Sequence, residues 1–179
     1  TEETVTVYGK TLYRIRAVRD FGSVKTGEFG GYIEKEENLS HFGNAWVSGN
    51  AWVFDNARVY DNAWVFGNAW VFGNAKVYDD AWVCGDAKVY GDAWVSGNAE
   101  VFNTRHFFVQ GPIGSRNGFI TFYRTKDNTV EVRCGCFSGS LQKFVDRVEE
   151  THGGSRYEKE YKLAAELAKV CIRLEGESR

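Results

Sequence analysis

Methionine is absent from this 179-residue chain, proline occurs once and histidine three times. No run of eighteen apolar residues is present, which excludes a membrane-spanning helix, and no charged-then-apolar leader opens the sequence. The four cysteines (Cys84, Cys134, Cys136, Cys171) are too few and too unevenly spaced for a disulfide framework, and point to a reducing cytoplasm. Against these scarcities stand 20 Gly and six Trp. Such a balance suggests repetition rather than a conventional mixed core.

The net charge of -2 conceals an asymmetry. Residues 1–104 carry nine basic against fourteen acidic side chains, a balance of -5; residues 105–179 carry thirteen against ten, a balance of +3. An acidic first part does not suit a non-specific DNA binder. Arg105, Arg116, Arg124, Lys126 and Arg133 gather the positive charge just after residue 104, where a small anion can be met.

Val recurs every six residues from Val47 to Val101, and Ala two residues earlier, from Ala45 to Ala99. Each hexad reads as a short strand with Ala and Val on one side, closed by a Gly, Asp or Asn corner. A strict period of six marks a parallel β-helix in which each coil stacks on the last. The pattern resembles the hexapeptide-repeat, left-handed β-helix family over about residues 33–106, with Ile33 and Leu39 continuing the Ala register upstream. The resemblance implies three hexads per coil, so residues eighteen apart share a column. Trp46, Trp64 and Trp82 form one, Trp52 and Trp70 a second, and Phe54 and Phe72 another, all expected outside. Such rings can stack within the chain, pack against sister subunits, or serve as a ligand platform. Relatives commonly trimerise through such faces, and a homo-oligomer, a trimer foremost, is the expectation.

Three regions are expected: an N-terminal cap (1–32), the β-helix (33–104) and a small α+β module (105–179). "HFFVQ" reads as a strand, "GPIGSRNG" as a Gly-rich loop, and "FITFYR" and "TVEVRC" as a hairpin. Leu141, Phe144, Val145 and Val148 define one helical face, and Ser155 with Glu158 caps a last helix. The Gly-rich loop matches neither the phosphate-loop nor the dinucleotide fingerprint. Cys134 and Cys136 depart from common zinc spacings, so neither metal nor cofactor is expected.

Many proteins of this family transfer acyl groups from coenzyme A, which requires a general-base His and, usually, a loop thrown out of one coil. Neither His41, His106 nor His152 sits in such a loop, and the hexads run unbroken from 43 to 103. No catalytic residue is assigned. The segments "LYRIRAVRDFGSVKTGEFGGYIEKEENLS" and "GCFSGSLQKFVDRVEETHG" resemble the two ends of hexapeptide-repeat proteins of bacteriophages and prophages, whose relatives are often labelled acyltransferases. That resemblance implies a bacterial cytoplasm and a host-directed role. The leading expectation is non-catalytic capture of a small anionic ligand, such as a nucleotide signal of antiviral defence. Arg105, Ser115, Arg116, Asn117, Arg124 and Arg133 would hold the phosphate, and Tyr123 or a tryptophan would stack on the base. Inhibition of a host protein through the aromatic faces and coenzyme A-dependent acyl transfer are the alternatives.

Overall fold

The computed structural model describes residues 1–175. Three strands open the chain: β1 (Thr4–Val7), β2 (Lys10–Arg16) and β3 (Phe29–Ile33). Each hexad then adds a two-residue strand: β4 (Trp46–Val47), β5 (Trp52–Val53), β6 (Arg58–Val59), β7 (Trp64–Val65), β8 (Trp70–Val71), β9 (Lys76–Val77), β10 (Trp82–Val83), β11 (Lys88–Val89), β12 (Trp94–Val95) and β13 (Glu100–Val101). They stack in parallel as three sheets of a β-solenoid of about four turns, in the orders β5-β8-β11, β4-β7-β10-β13 and β6-β9-β12. Partners lie eighteen residues apart, as Trp64 against Trp82 and Val65 against Val83.

The sequence accounts for this directly. Ala and Val of every hexad face inward and are essentially unexposed, forming one dry column. Each hexad donates backbone bonds to the coil below, as in Trp64 N–H to Ala81 O, 2.9 Å, and Asn68 N–H to Gly85 O, 2.9 Å. The corners need a left-handed residue, and Asp55, Asp61 and Asp79 supply it beside the glycines. Asp55 and Asp79 compensate by accepting the N–H of Gly73 and Gly97 below them, at 3.1 and 3.2 Å.

The residue before each Ala builds a device not anticipated from the sequence. Asn44 donates to Asn62 and Asn62 to Asp80; Asn50 donates to Asn68 and Asn68 to Asp86; Asn56 donates to Asn74 and Asn74 to Asp92. Three side-chain ladders thus run down the corners, each ending in a carboxylate.

At the upper end, β1, β2 and β3 are antiparallel and extend the β5-β8-β11 sheet, with Tyr32 against Trp52 in parallel register. This close crossing demands glycine, since a Cβ at Gly31 would lie 2.6 Å from the Ala51 carbonyl oxygen. Ile33 and Leu39 are opposite Val53 and Val59, twenty residues on, and so occupy the Val register rather than the Ala register. Two extra residues between Leu39 and Ala45 shift the frame.

The module is a four-stranded antiparallel meander, β14 (Phe107–Ile113), β15 (Gly118–Arg124), β16 (Val130–Cys134) and β17 (Phe137–Ser140), followed by α1 (Leu141–His152) and α2 (Arg156–Cys171). β14 runs through a bulge to Ile113, so the expected loop over 111–118 shrinks to a tight turn. The β17 strand was not expected. Ser140 and Ser155 cap the helices by accepting from Lys143 N and Glu158 N. The Glu158 carboxylate reaches Gly154 N–H, one residue outside the cap.

β15 is covered on both faces. Ile120 and Phe122 join the helices in one core, while Tyr123, with Phe107 from β14, joins the solenoid column and stoppers its lower end. There Thr121 Oγ1 accepts the Trp94 N–H (2.9 Å), and Lys126 N–H donates to the Asn98 carbonyl (2.9 Å), replacing a missing coil.

Candidate functional site

The expected phosphate ligands do not converge as a set. Tyr123 is fully buried beneath the last coil, its hydroxyl 3.3 Å from Ser96 Oγ. Arg124 is 2 % exposed and serves as a structural clamp. It holds Glu100 at 2.7 Å and Glu175 at 3.0 Å, with its guanidinium over the Phe102 ring. Both assignments are corrected by burial: β15 lies inside a sandwich, so its side chains face two cores rather than solvent. Arg105 and Asn117 are exposed but line no pocket with the others.

Ser115, Arg116 and Arg133 do come together, in a cleft of about 620 Å³ between the last coil, the meander and the helices. Gly114 starts the turn that carries Ser115 and Arg116. Its N–H donates to Glu160 Oε2 (2.7 Å), and Tyr161 leaves no room for a side chain there. Arg133 projects from β16 over the Tyr78 and Trp94 rings, its Cζ 5.7 and 5.8 Å from their centroids. Its buried Nε has no acceptor among the described residues. The helices add Arg147 and His152, which sequence reasoning missed, and the solenoid adds Trp94 and Asp92.

The charge balance is one-sided. Arg116 and Arg133 form no ion pair among the described residues, whereas Arg147 holds an exposed Glu150 at 2.8 Å. Among the described residues Asp92 is the one carboxylate lining the cleft. Apolar surface comes from Phe119, which is 42 % exposed, and from Phe137 and Trp94. Burial pushes the Cys134 thiol pKa up, so this wall offers a neutral thiol rather than a thiolate nucleophile. His41 stands exposed near the opposite end, 3.0 Å from Glu36, and His106 is buried beside Asn103 Nδ2, 2.8 Å away. Among the described residues no group of three or more His, Cys, Asp and Glu gathers that could hold a metal ion.

The aromatic columns are largely satisfied within the chain. Trp52 stacks on Trp70 (4.6 Å), Phe54 on Phe72 (5.1 Å) and Tyr60 on Tyr78 (4.9 Å). Cations cap several rings: Lys88 over Trp70, Lys76 over Trp94 and Lys126 over Trp82, each Nζ within 4.3 Å of the centroid. Two residues expected on an oligomer face are already covered. Trp46 is 4 % exposed, against Phe21 of the cap, and Phe54 is 2 % exposed. Trp52, Trp64, Trp70 and Phe72 are half-buried, and Trp82 alone among the six tryptophans is exposed, at 41 %.

Residues 57–73 match the family described as YdcK Beta solenoid repeat. The match covers less than one coil and agrees with the β-solenoid; it is a likeness of the repeat alone. No curated protein matches the chain.

Proposed function

We propose that the protein is a non-catalytic binder of a small phosphate-bearing ligand, such as a nucleotide, held in the cleft between the last coil and the C-terminal module. The observation that carries this reading is the convergence of Arg116, Arg133 and Arg147 on a pocket with, among the described residues, a single lining carboxylate and a partly aromatic wall. Guanidinium groups match phosphate oxygens in a fixed fork, and a ring such as Trp94 or Phe119 offers a stacking face. The cleft size falls within the range of small-molecule sites. The burial that raises the Cys134 thiol pKa, and the lack among the described residues of a His hydrogen-bonded to a Ser or Cys, favour capture over turnover. In the phage setting that the sequence resembles, capture would withdraw a nucleotide signal from the host.

Calorimetric titration with a panel of mono-, di- and cyclic nucleotides tests this. Arg116→Ala and Arg147→Ala, both at exposed positions, should each weaken binding about tenfold or more without changing the melting temperature. Binding that ignores both substitutions sinks the cleft assignment. Release of coenzyme A from acetyl-coenzyme A would sink the non-catalytic one.

A further inference from the structure

We infer that the upper mouth of the solenoid is a second ligand pocket, suited to a small amphiphile with an apolar tail and one anionic head. The two ends of the solenoid are closed differently. Below, Phe107 and Tyr123 fill the column. Above, β2 passes over the first coil and leaves a pocket of about 390 Å³. Its floor is the top of the inner column, where Ile15, Ile33 and Leu39 are half-buried against Ala45 and the valines. Phe21 and Trp46 form one side.

The rim is charged and mainly positive. Arg14, Arg16, Arg19 and Lys35 line the pocket against Glu34 and Glu36. Glu34 is already engaged with Lys10 at 3.0 Å, and Glu36 stands exposed beside His41, 3.0 Å away. Arg14 is spent on Glu3, and Arg19 donates one N–H to the His41 carbonyl. Arg16 is exposed and has no ion-pair partner among the described residues. An apolar hollow with an unpaired guanidinium at its lip selects a molecule that is greasy at one end and negative at the other. A cationic amphiphile of the same length would meet the rim with the wrong sign.

Titration with octanoate, octanol and octylamine, followed by calorimetry and by backbone amide NMR, tests the pocket on the full chain. Octanoate should bind and shift amides around Ile15, Ile33 and Leu39, while octylamine should not bind. Arg16→Glu, at an exposed position, should lower octanoate affinity about tenfold. Leu39→Trp should fill the mouth and abolish binding, with circular dichroism confirming the fold. Arg147→Ala, in the lower cleft, should change nothing here, so failure of one site does not imply failure of the other. No response at millimolar octanoate overturns the proposal, as does binding of all three probes alike. Perturbed amides confined to the lower cleft, or a concentration-dependent dimer that excludes octanoate, overturn it equally.

Discussion

In the solenoid, a residue meets its counterpart eighteen positions on and little else; in the module, Arg124 of β15 meets Glu100 of the last coil and Glu175 beyond α2. The solenoid repeats one solution, and its interior holds only small apolar side chains. The module is not repetitive, and it gathers charge from the β14–β15 turn, β16 and α1 onto one cleft. Regularity gives a stiff support and few places to put chemistry. The unique ends are where a functional group can be left unpaired, as Arg133 and Arg16 are.

The sharpest way to break this contrast is to charge the solenoid interior. Val71 is fully buried with no polar partner in reach, so Val71→Asp should cost more than about 4 kcal/mol and leave the chain unfolded by circular dichroism at 25 °C. Next comes the clamp between the regions. Arg124→Ala removes the partner of Glu100 and Glu175 and should cost about 3 kcal/mol. Hydrogen exchange should then rise in the meander while the upper coils stay protected; uniform loss would show that the two regions unfold as one.

A third test uses pH. Burial, and then the nearby Arg124 charge, push the His106 pKa from 6.5 down to about 4. Between those values the unfolded chain takes up a proton that the folded chain refuses, so His106 contributes a loss of stability as pH falls from about 6.5 to about 4. The loss should reach about 2–3 kcal/mol in urea melts. His106→Gln should flatten that part of the profile; an unchanged slope would place the titration elsewhere. The smallest effect belongs to the corner ladders. Asn68→Ala removes one exposed donor and one acceptor and should cost about 1 kcal/mol or less. A much larger loss would mean that the ladders act cooperatively along the whole column.

The period of six in Ala and Val was sufficient to read the solenoid, because every inward position repeats the same local choice. The register of Ile33 and Leu39 was not legible, because two extra residues before Ala45 move the frame without disturbing the hydrophobic pattern. β17 escaped notice because "FSGS" has little strand propensity and pairs only through its neighbour β16. Arg116 and Arg133 stood out by charge clustering in sequence. Arg147 could not, and which tryptophan and histidine would join them was equally hidden, since only tertiary packing carries Arg147, His152 and Trp94 to the same cleft. Tyr123 and Arg124 read as ligand residues because a hairpin in sequence does not tell how many of its faces are covered. Both faces are dry.

The corner ladders have a direction. Each amide gives its proton to the oxygen eighteen residues below, until Asp80, Asp86 or Asp92 receives one and has none to pass on. A coil duplicated above these carboxylates finds amides on both sides and slots into the series. The same coil copied below them would sit beneath residues that accept but cannot donate, so its amides would have to turn upward to the carboxylates. The direction of donation thus distinguishes the upper end of each column from its lower end, where in one of them the terminal carboxylate, Asp92, lines the cleft.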